Sequence, residues 1–298
     1  MRTFDRLPRR VAMSHRNLPC WMAAFFAAIF ITGASAMIGA GAARAEESRL
    51  DVILKRDKLI VAVTNTSVPV GFIDENGNLT GFEIEFARAI AKSILGSPDK
   101  IEFVTTTPDG RFPAVLSGRV DFGIQAATIY PDRAVRLAFT RPYMDSSTFV
   151  VVRKDSAIKT LEDLDSPEVT LASVNSAAMV DRAKRYAAKA KPMFFDADSA
   201  AFQALKSGRA SAVQTDSAMA SFQVGGSGGD LVKVPGQLGS LNGNAIFMKP
   251  GDFTLWLCLD TIVGEYTNGS RYDEFQALYR KWFGKDPPPQ RFYINPTK

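Results

Sequence analysis

Apolar and polar positions along this chain fall into two successive stretches of strand-like and helix-like pattern. In the first, Leu59–Val63 is a short apolar run of strand length, and the polar cluster at 74–78 is a turn. Phe82, Phe86, Ala89 and Ile90 then recur at helical spacing, which predicts a helix over Phe82–Leu95 stopped by Gly96. Segments 101–104 and 120–124 read as further strands, with a short helix at 112–116 between them. In the second stretch, 161–164 reads as a helical turn, 169–172 as a strand and the Ala-, Lys- and Arg-rich segment 177–190 as a helix. Strands at 192–195 and 211–215 then flank a helix at 200–206. The Gly-Gly-Ser-Gly-Gly segment at 225–229 is a surface connection, since no GKS or GKT ending follows it. Helices at 253–266 and 272–282 precede a proline-rich tail at 287–289. This alternation predicts an α/β fold of parallel strands covered by helices.

One pattern occurs twice. Ala114-Val115-Leu116-Ser117-Gly118-Arg119 leads into the strand at 120–124, and Ala204-Leu205-Lys206-Ser207-Gly208-Arg209 leads into the strand at 211–215. Two lobes built on one plan, facing each other across a cleft, would produce this echo; chance likeness of two helix ends is the plainer reading. Thr128 and then Pro131-Asp132-Arg133 follow the first strand, and Asp216 follows the second. Ligands of open α/β sheets bind beyond the carboxyl ends of strands. A guanidinium fork suits an α-carboxylate, while an acid and a hydroxyl suit an ammonium, so the set fits a free amino acid. Against this stand ordinary roles: Arg133 as a surface helix residue, Asp216 as a helix cap, and Asn175 and Ser176 as caps of the helix that follows them.

Composition changes the picture at the N-terminus. Arg2, Arg6, Arg9, Arg10 and Arg16 precede an apolar run from about residue 21 to 40, and Ala43-Arg44-Ala45 has the small-x-small form of a cleavage site. Residues 1–45 are therefore expected to be a cleavable signal peptide directing the chain to the periplasm. That segment carries six arginines and one aspartate, a charge of +5, which equals the formal charge of the whole chain. The mature protein is thus close to neutral, and its basic character gives no support to nucleic-acid binding. The only histidine, His15, and one of the two cysteines, Cys20, lie in the signal. Cys258 alone remains, expected to be a buried thiol, so no internal disulfide, Ser-His-Asp triad, Cys-His pair or His-ligated zinc site is available.

These segments resemble solute-binding protein family 3, the periplasmic receptors that deliver polar amino acids to ABC importers. The likeness rests on Gly77-Asn78-Leu79-Thr80-Gly81-Phe82-Glu83, Ser117-Gly118-Arg119-Val120-Asp121-Phe122 and Thr128-Ile129-Tyr130-Pro131-Asp132-Arg133. It continues through Phe139-Thr140-Arg141-Pro142-Tyr143, Leu161-Glu162-Asp163-Leu164, Ser207-Gly208-Arg209 with Asp216, and Lys281-Trp282-Phe283-Gly284. Arg111-Phe112-Pro113 and the tail look most like the glutamate/aspartate-binding branch.

The resemblance implies a two-lobed α/β fold of type II topology whose lobes are joined by two hinge strands. Lobe 1 is expected at 46–147 plus 243–298 and lobe 2 at 148–242. It also implies that Arg133 clamps the α-carboxylate, Thr128 hydrogen-bonds the ligand, and Asp216 takes the ammonium. Asn175 and Ser176 would offer amides and hydroxyls to the carboxylate, and Arg111 matches an arginine that reads a side-chain acid. Departures are visible. Thr64 stands where the acidic-ligand branch has an arginine. Ala126 replaces a loop hydroxyl and could serve only through its backbone N–H, Val174 replaces a glycine, and Ser67 replaces an aromatic ring. The expected function is a monomeric, non-enzymatic amino-acid receptor without cofactor or metal, partnered by a membrane ABC permease. The alternative is a cyclohexadienyl (prephenate or arogenate) dehydratase on the same fold.

Overall fold

The structure is a computed structural model in which residues 47–287 are described; the expected signal peptide, with His15 and Cys20, and the chain after Pro287 lie outside the described residues. In chain order the elements begin with α1 (Arg49–Arg56), β1 (Leu59–Val63), β2 (Thr66–Ser67), β3 (Gly71–Ile73), β4 (Leu79–Thr80), α2 (Phe82–Leu95) and β5 (Ile101–Thr105). Next come α3 (Arg111–Leu116), β6 (Phe122–Gly123), α4 (Pro131–Ala134), β7 (Ala138–Phe139) and β8 (Met144–Arg153). Then follow β9 (Thr170–Val174), α5 (Ala177–Tyr186), β10 (Lys191–Phe195), α6 (Asp198–Lys206), β11 (Ala212–Asp216) and α7 (Ser217–Gly225). The last are β12 (Leu231–Lys233), β13 (Leu238–Asn244), β14 (Phe247–Met248), α8 (Phe253–Asn268) and α9 (Tyr272–Phe283).

Two main sheets organise these elements. The first has the order β5-β1-β6-β14-β7, with β1 parallel to both β5 and β6. The second has the order β10-β9-β11-β8-β12, with β9 parallel to its two neighbours and β8 antiparallel to β11. The inner strands β1 and β8 are buried on both faces and read as apolar runs, whereas the edge strands β5 and β10 are only partly buried. On β1, Leu59, Val61 and Val63 point into a core shared with α2, α8 and α9, while Ala62 faces Ala114, Val115 and Phe247 on the other side. On β8, Val150 and Val152 serve one core of the second sheet, and Val151 serves the other. Two chain segments link the sheets, β8 and β13, and these pair with each other: Ser146 opposes Asn242 and Met144 opposes Asn244.

The repeated Ser-Gly-Arg segment is a repeated structure. Gly118 and Gly208 both take positive φ, 75° and 80°. Gly118 N–H donates to Val115 O and Gly208 N–H to Leu205 O, while Ser117 Oγ and Ser207 Oγ return to Ala114 O and Ala204 O. Asp121 N then bonds Ile60 O in one sheet, as Ser211 N bonds Thr170 O in the other. The same helix end feeds the same strand position in each sheet.

Differences from the sequence reading have local causes. The helix expected at 177–190 ends at Tyr186, because Ala187 leaves helical geometry at φ −147° and Lys191 N pairs with Val169 O to begin β10. Sheet pairing there overrides the helix preference of the alanines. The strand expected at 120–124 narrows to β6, since Val120 N–H turns back to Ala114 O. Tyr279 is buried among Phe82, Phe275 and Phe283, and Trp282 packs edge-on against Phe72. Cys258 is half-buried, where the sequence suggested full burial.

Candidate functional site

The carboxyl ends of β1 and β6 meet those of β9 and β11 across the space between the sheets, at a cavity of about 50 Å³. Seven of the eight residues singled out in the sequence line it: Thr64, Arg111, Ala126, Thr128, Arg133, Ser176 and Asp216. Asn175 does not; its N–H donates to Phe195 O at 2.6 Å, tying β9 to β10. Ser176 is the N-cap of α5, with its hydroxyl accepting from Met179 N at 3.4 Å.

Arg133 is held by its own surroundings. Pro131 starts the single turn of α4, and the side chain runs back so that Nη1 donates to Thr128 O at 2.9 Å. Its guanidinium lies 4.9 Å from the Tyr130 ring centroid and 5.2 Å from that of Phe112. Two ring faces and one carbonyl fix the fork in orientation, which is what a bidentate carboxylate clamp needs. Arg111, at the start of α3, donates Nη1 to Gln125 O at 2.6 Å, and its buried Nε has no protein partner. Burial and the charge of Arg133 pull Arg111 down to about 10, so it remains a cation at neutral pH.

The loop after β6 is shaped by a residue that the sequence reading overlooked. Ala126 has φ +42°, a left-handed conformation that costs a residue with a Cβ of order 1 kcal/mol. Glu83, fully buried on α2, accepts the Ala126 N–H at 2.7 Å and also the Tyr143 hydroxyl. This corrects one expectation: the Ala126 N–H is spent on Glu83 and is not directed at a ligand. Burial pushes the Glu83 carboxyl up to about 7, against the pull of its two hydrogen bonds. Thr128 is likewise engaged, its hydroxyl 2.9 Å from Ser146 Oγ on β8 and donating to Asn244 Oδ1 on β13 at 3.0 Å. It therefore joins the loop to both connecting strands and keeps one lone pair for other partners.

Asp216 occupies the N-cap position of α7 but makes no capping bond with its side chain, so its carboxylate is not used as a cap. Burial, and then the charge of Asp198, push it up to about 6. Asp198 was not anticipated. It opens α6, lines the same cavity, and accepts from Ser67 Oγ of the first sheet's side at 2.5 Å. Arg182 was also missed, although it shares a helical face with Ala178 and Met179; its Nη2 donates to Tyr130 Oη at 2.6 Å. Ser67–Asp198 and Tyr130–Arg182 thus tie the two sides together across the cleft.

Tyr130→Phe removes one of these ties without altering the ring over Arg133. Ligand affinity is expected to fall at least about tenfold, the scale of a single hydrogen bond to a charged group, mostly through faster dissociation. Stopped-flow release measured on both proteins checks this.

With this geometry in place, comparison with known proteins is informative. Residues 59–285 match the bacterial extracellular solute-binding proteins, family 3. The chain belongs to that family. It is 27% identical over 264 residues to the ABC transporter glutamine-binding protein GlnH of Bacillus subtilis, covering 87% of this chain and 94% of that one. Cyclohexadienyl dehydratase of Pseudomonas aeruginosa is 30% identical over 191 residues, covering 63% and 70%. The crystal structure of the ancestral amino acid-binding protein AncCDT-1, a precursor of cyclohexadienyl dehydratase, superposes with a TM-score of 0.72 at 35% identity, covering 79% of this chain and 100% of that chain. The fold is the two-lobed α/β fold of these amino-acid-binding proteins. Glutamine-, cystine- and glutamate/aspartate-binding proteins all occur among the relatives, so the glutamate/aspartate branch is one of several.

Proposed function

We propose that this protein captures an amino acid outside the cytoplasm and presents it to a membrane ABC permease. The observation that carries the reading is that Arg133 and Asp216 line one cavity, each from a different side of the cleft. Arg133 takes the α-carboxylate and Asp216 the ammonium, with Ser176 and Thr128 beside them. Raised only to about 6, Asp216 is mostly ionised at neutral pH, and the ammonium holds it in that form by replacing lost solvation. Lobe 1 comprises 46–147 plus 243–298 and lobe 2 comprises 148–242, the mature chain beginning after a signal at 1–45. The receptor acts as a monomer, without catalysis, and closure over ligand creates the form that the permease recognises.

Chemistry on a bound ligand is the second reading, and one observation favours it. Asp198 is an acid in the cavity whose carboxyl is raised by burial, which is what a general acid requires. A thermal-shift screen of residues 46–298, refolded to strip bound ligand, separates the two. The panel holds the amino acids, small dicarboxylates and prephenate. A ligand at a hundred times its Kd stabilises the native state by about 2.7 kcal/mol. A shift with amino acids and no turnover of prephenate is expected; a shift with prephenate alone, together with turnover, establishes the enzyme.

A further inference from the structure

The amino-acid reading leaves one charge in the cavity without a task. If the ligand carboxylate goes to Arg133 and its ammonium to Asp216, then Arg111, Arg182 and Asp198 remain around the side-chain end of the cavity. Arg182 is spent on the Tyr130 hydroxyl. Arg111 is anchored through Nη1 to Gln125 O, leaves its Nε unpartnered, and lies within electrostatic reach of Glu83 and Asp216, two carboxylates of the protein itself. Asp198 differs from both. Its side-chain donors are the neutral hydroxyls of Ser67 and Thr215; Arg111 attracts it from a distance, and Asp216 repels it from the next strand end. Burial outweighs these partners and holds the Asp198 carboxyl raised, so a further donor brought to it is favoured.

The walls around that carboxylate are polar and close. Thr64 Oγ1 lies 3.5 Å from Ser67 Oγ, and Gln125, whose amide bonds Thr106, completes the same side. The cavity of about 50 Å³ has room for roughly four waters by the measure in which one water needs about 10–15 Å³. A much larger space of about 630 Å³ lies alongside the Tyr130–Arg182 tie, lined by both of these residues. The same cavity also has to hold the α-carboxylate and ammonium, so it suits an amino acid with a short side chain.

Resting on the receptor reading, we propose that Asp198 is the side-chain selector of this site: it favours an amino acid whose short side chain ends in a hydrogen-bond donor and rejects acidic side chains. Arg111 then positions the loop at Gln125 and does not read a ligand carboxylate. A hydroxyl, amide or amino group supplies the shared chemistry, and a graded ligand series distinguishes them.

The test is calorimetric titration of the refolded protein with L-serine, L-asparagine, L-2,3-diaminopropionate, L-alanine, L-aspartate and L-glutamate. The tightest donor-bearing ligand is expected to bind at least about tenfold more tightly than aspartate or glutamate. Asp198→Asn reduces that margin by about tenfold, and Ser67→Ala, which takes one hydroxyl donor from the Asp198 carboxylate, widens it. The two variants act in opposite directions, so loss of fold in either one cannot imitate the result. Tighter binding of aspartate or glutamate by the unaltered protein overturns the inference, as does a ranking unchanged in both variants. Failure of every amino acid to bind overturns the receptor reading and this inference with it, whereas an unchanged ranking overturns the inference alone.

Discussion

Arg133→Ala abolishes ligand binding while leaving a folded protein. Affinity is expected to fall by at least about a hundredfold, roughly 3 kcal/mol, because an enclosed carboxylate loses its forked partner and stays desolvated. The fold survives for a structural reason. Arg133 gives the protein one hydrogen bond to Thr128 O and two ring contacts, and it stands within electrostatic reach of the cation Arg111. Removing it relieves that repulsion while losing the contacts, so the unfolding temperature of the ligand-free protein should move by only a few degrees. Arg133→Lys retains charge but not the planar fork and should recover only part of the binding. Calorimetry on both variants, with circular dichroism to verify the fold, decides it; full affinity in a folded alanine variant would remove Arg133 from the site.

The second large effect concerns Glu83 and pH. Its carboxyl is raised to about 7 in the folded protein, against 4.5 as its ordinary value. The folded state therefore holds a proton that the unfolded chain has released throughout that window. Its contribution to stability is fully present below pH 4.5 and is lost as pH rises through about 7, a change of roughly 3 kcal/mol. Asp216, raised to about 6, adds a slope of the same sign at lower pH. Carboxyls lowered by hydrogen bonds, among them Asp163 and Asp165, oppose it only in stronger acid. Glu83→Gln removes the titration while keeping an acceptor for Ala126 N–H and Tyr143. In urea unfolding between pH 5 and 8, the unaltered protein should lose stability relative to Glu83→Gln as pH rises. Parallel curves for the two proteins would show that Glu83 does not carry this proton.

Much of this arrangement could be read from the chain. Helix α2 starts and stops where apolar spacing and Gly96 place it, and Leu59–Val63 is a strand because both faces of its sheet are covered. The rule that ligands meet strand ends located Thr128, Arg133 and Asp216, which line one cavity. The same rule applied to β10, the strand before Asp198, points to that residue too. Glu83 was beyond reach. It sits between Phe82 and Phe86 in an ordinary helical pattern, and its partner Ala126 is 43 positions away. Ala126 itself gives no sign in the sequence that it adopts positive φ. Pairings over such distances depend on how lobe elements stack, which periodicity does not encode.

The pairing of β8 with β13 limits how the lobes can move. Two independent linkers would allow one lobe to swing, slide and twist against the other. Here the crossing strands are neighbours in one antiparallel ladder, with Met144 opposite Asn244 and Asp145 opposite Gly243. Their hydrogen bonds couple the turning of one strand to the other, so an opening of the proposed lobes is expected to run about an axis near this ladder. Thr128, bonded to Ser146 on one strand and Asn244 on the other, lies at that axis. On that expectation the proposed receptor works as a door rather than a ball joint, and one angle describes how far it stands open.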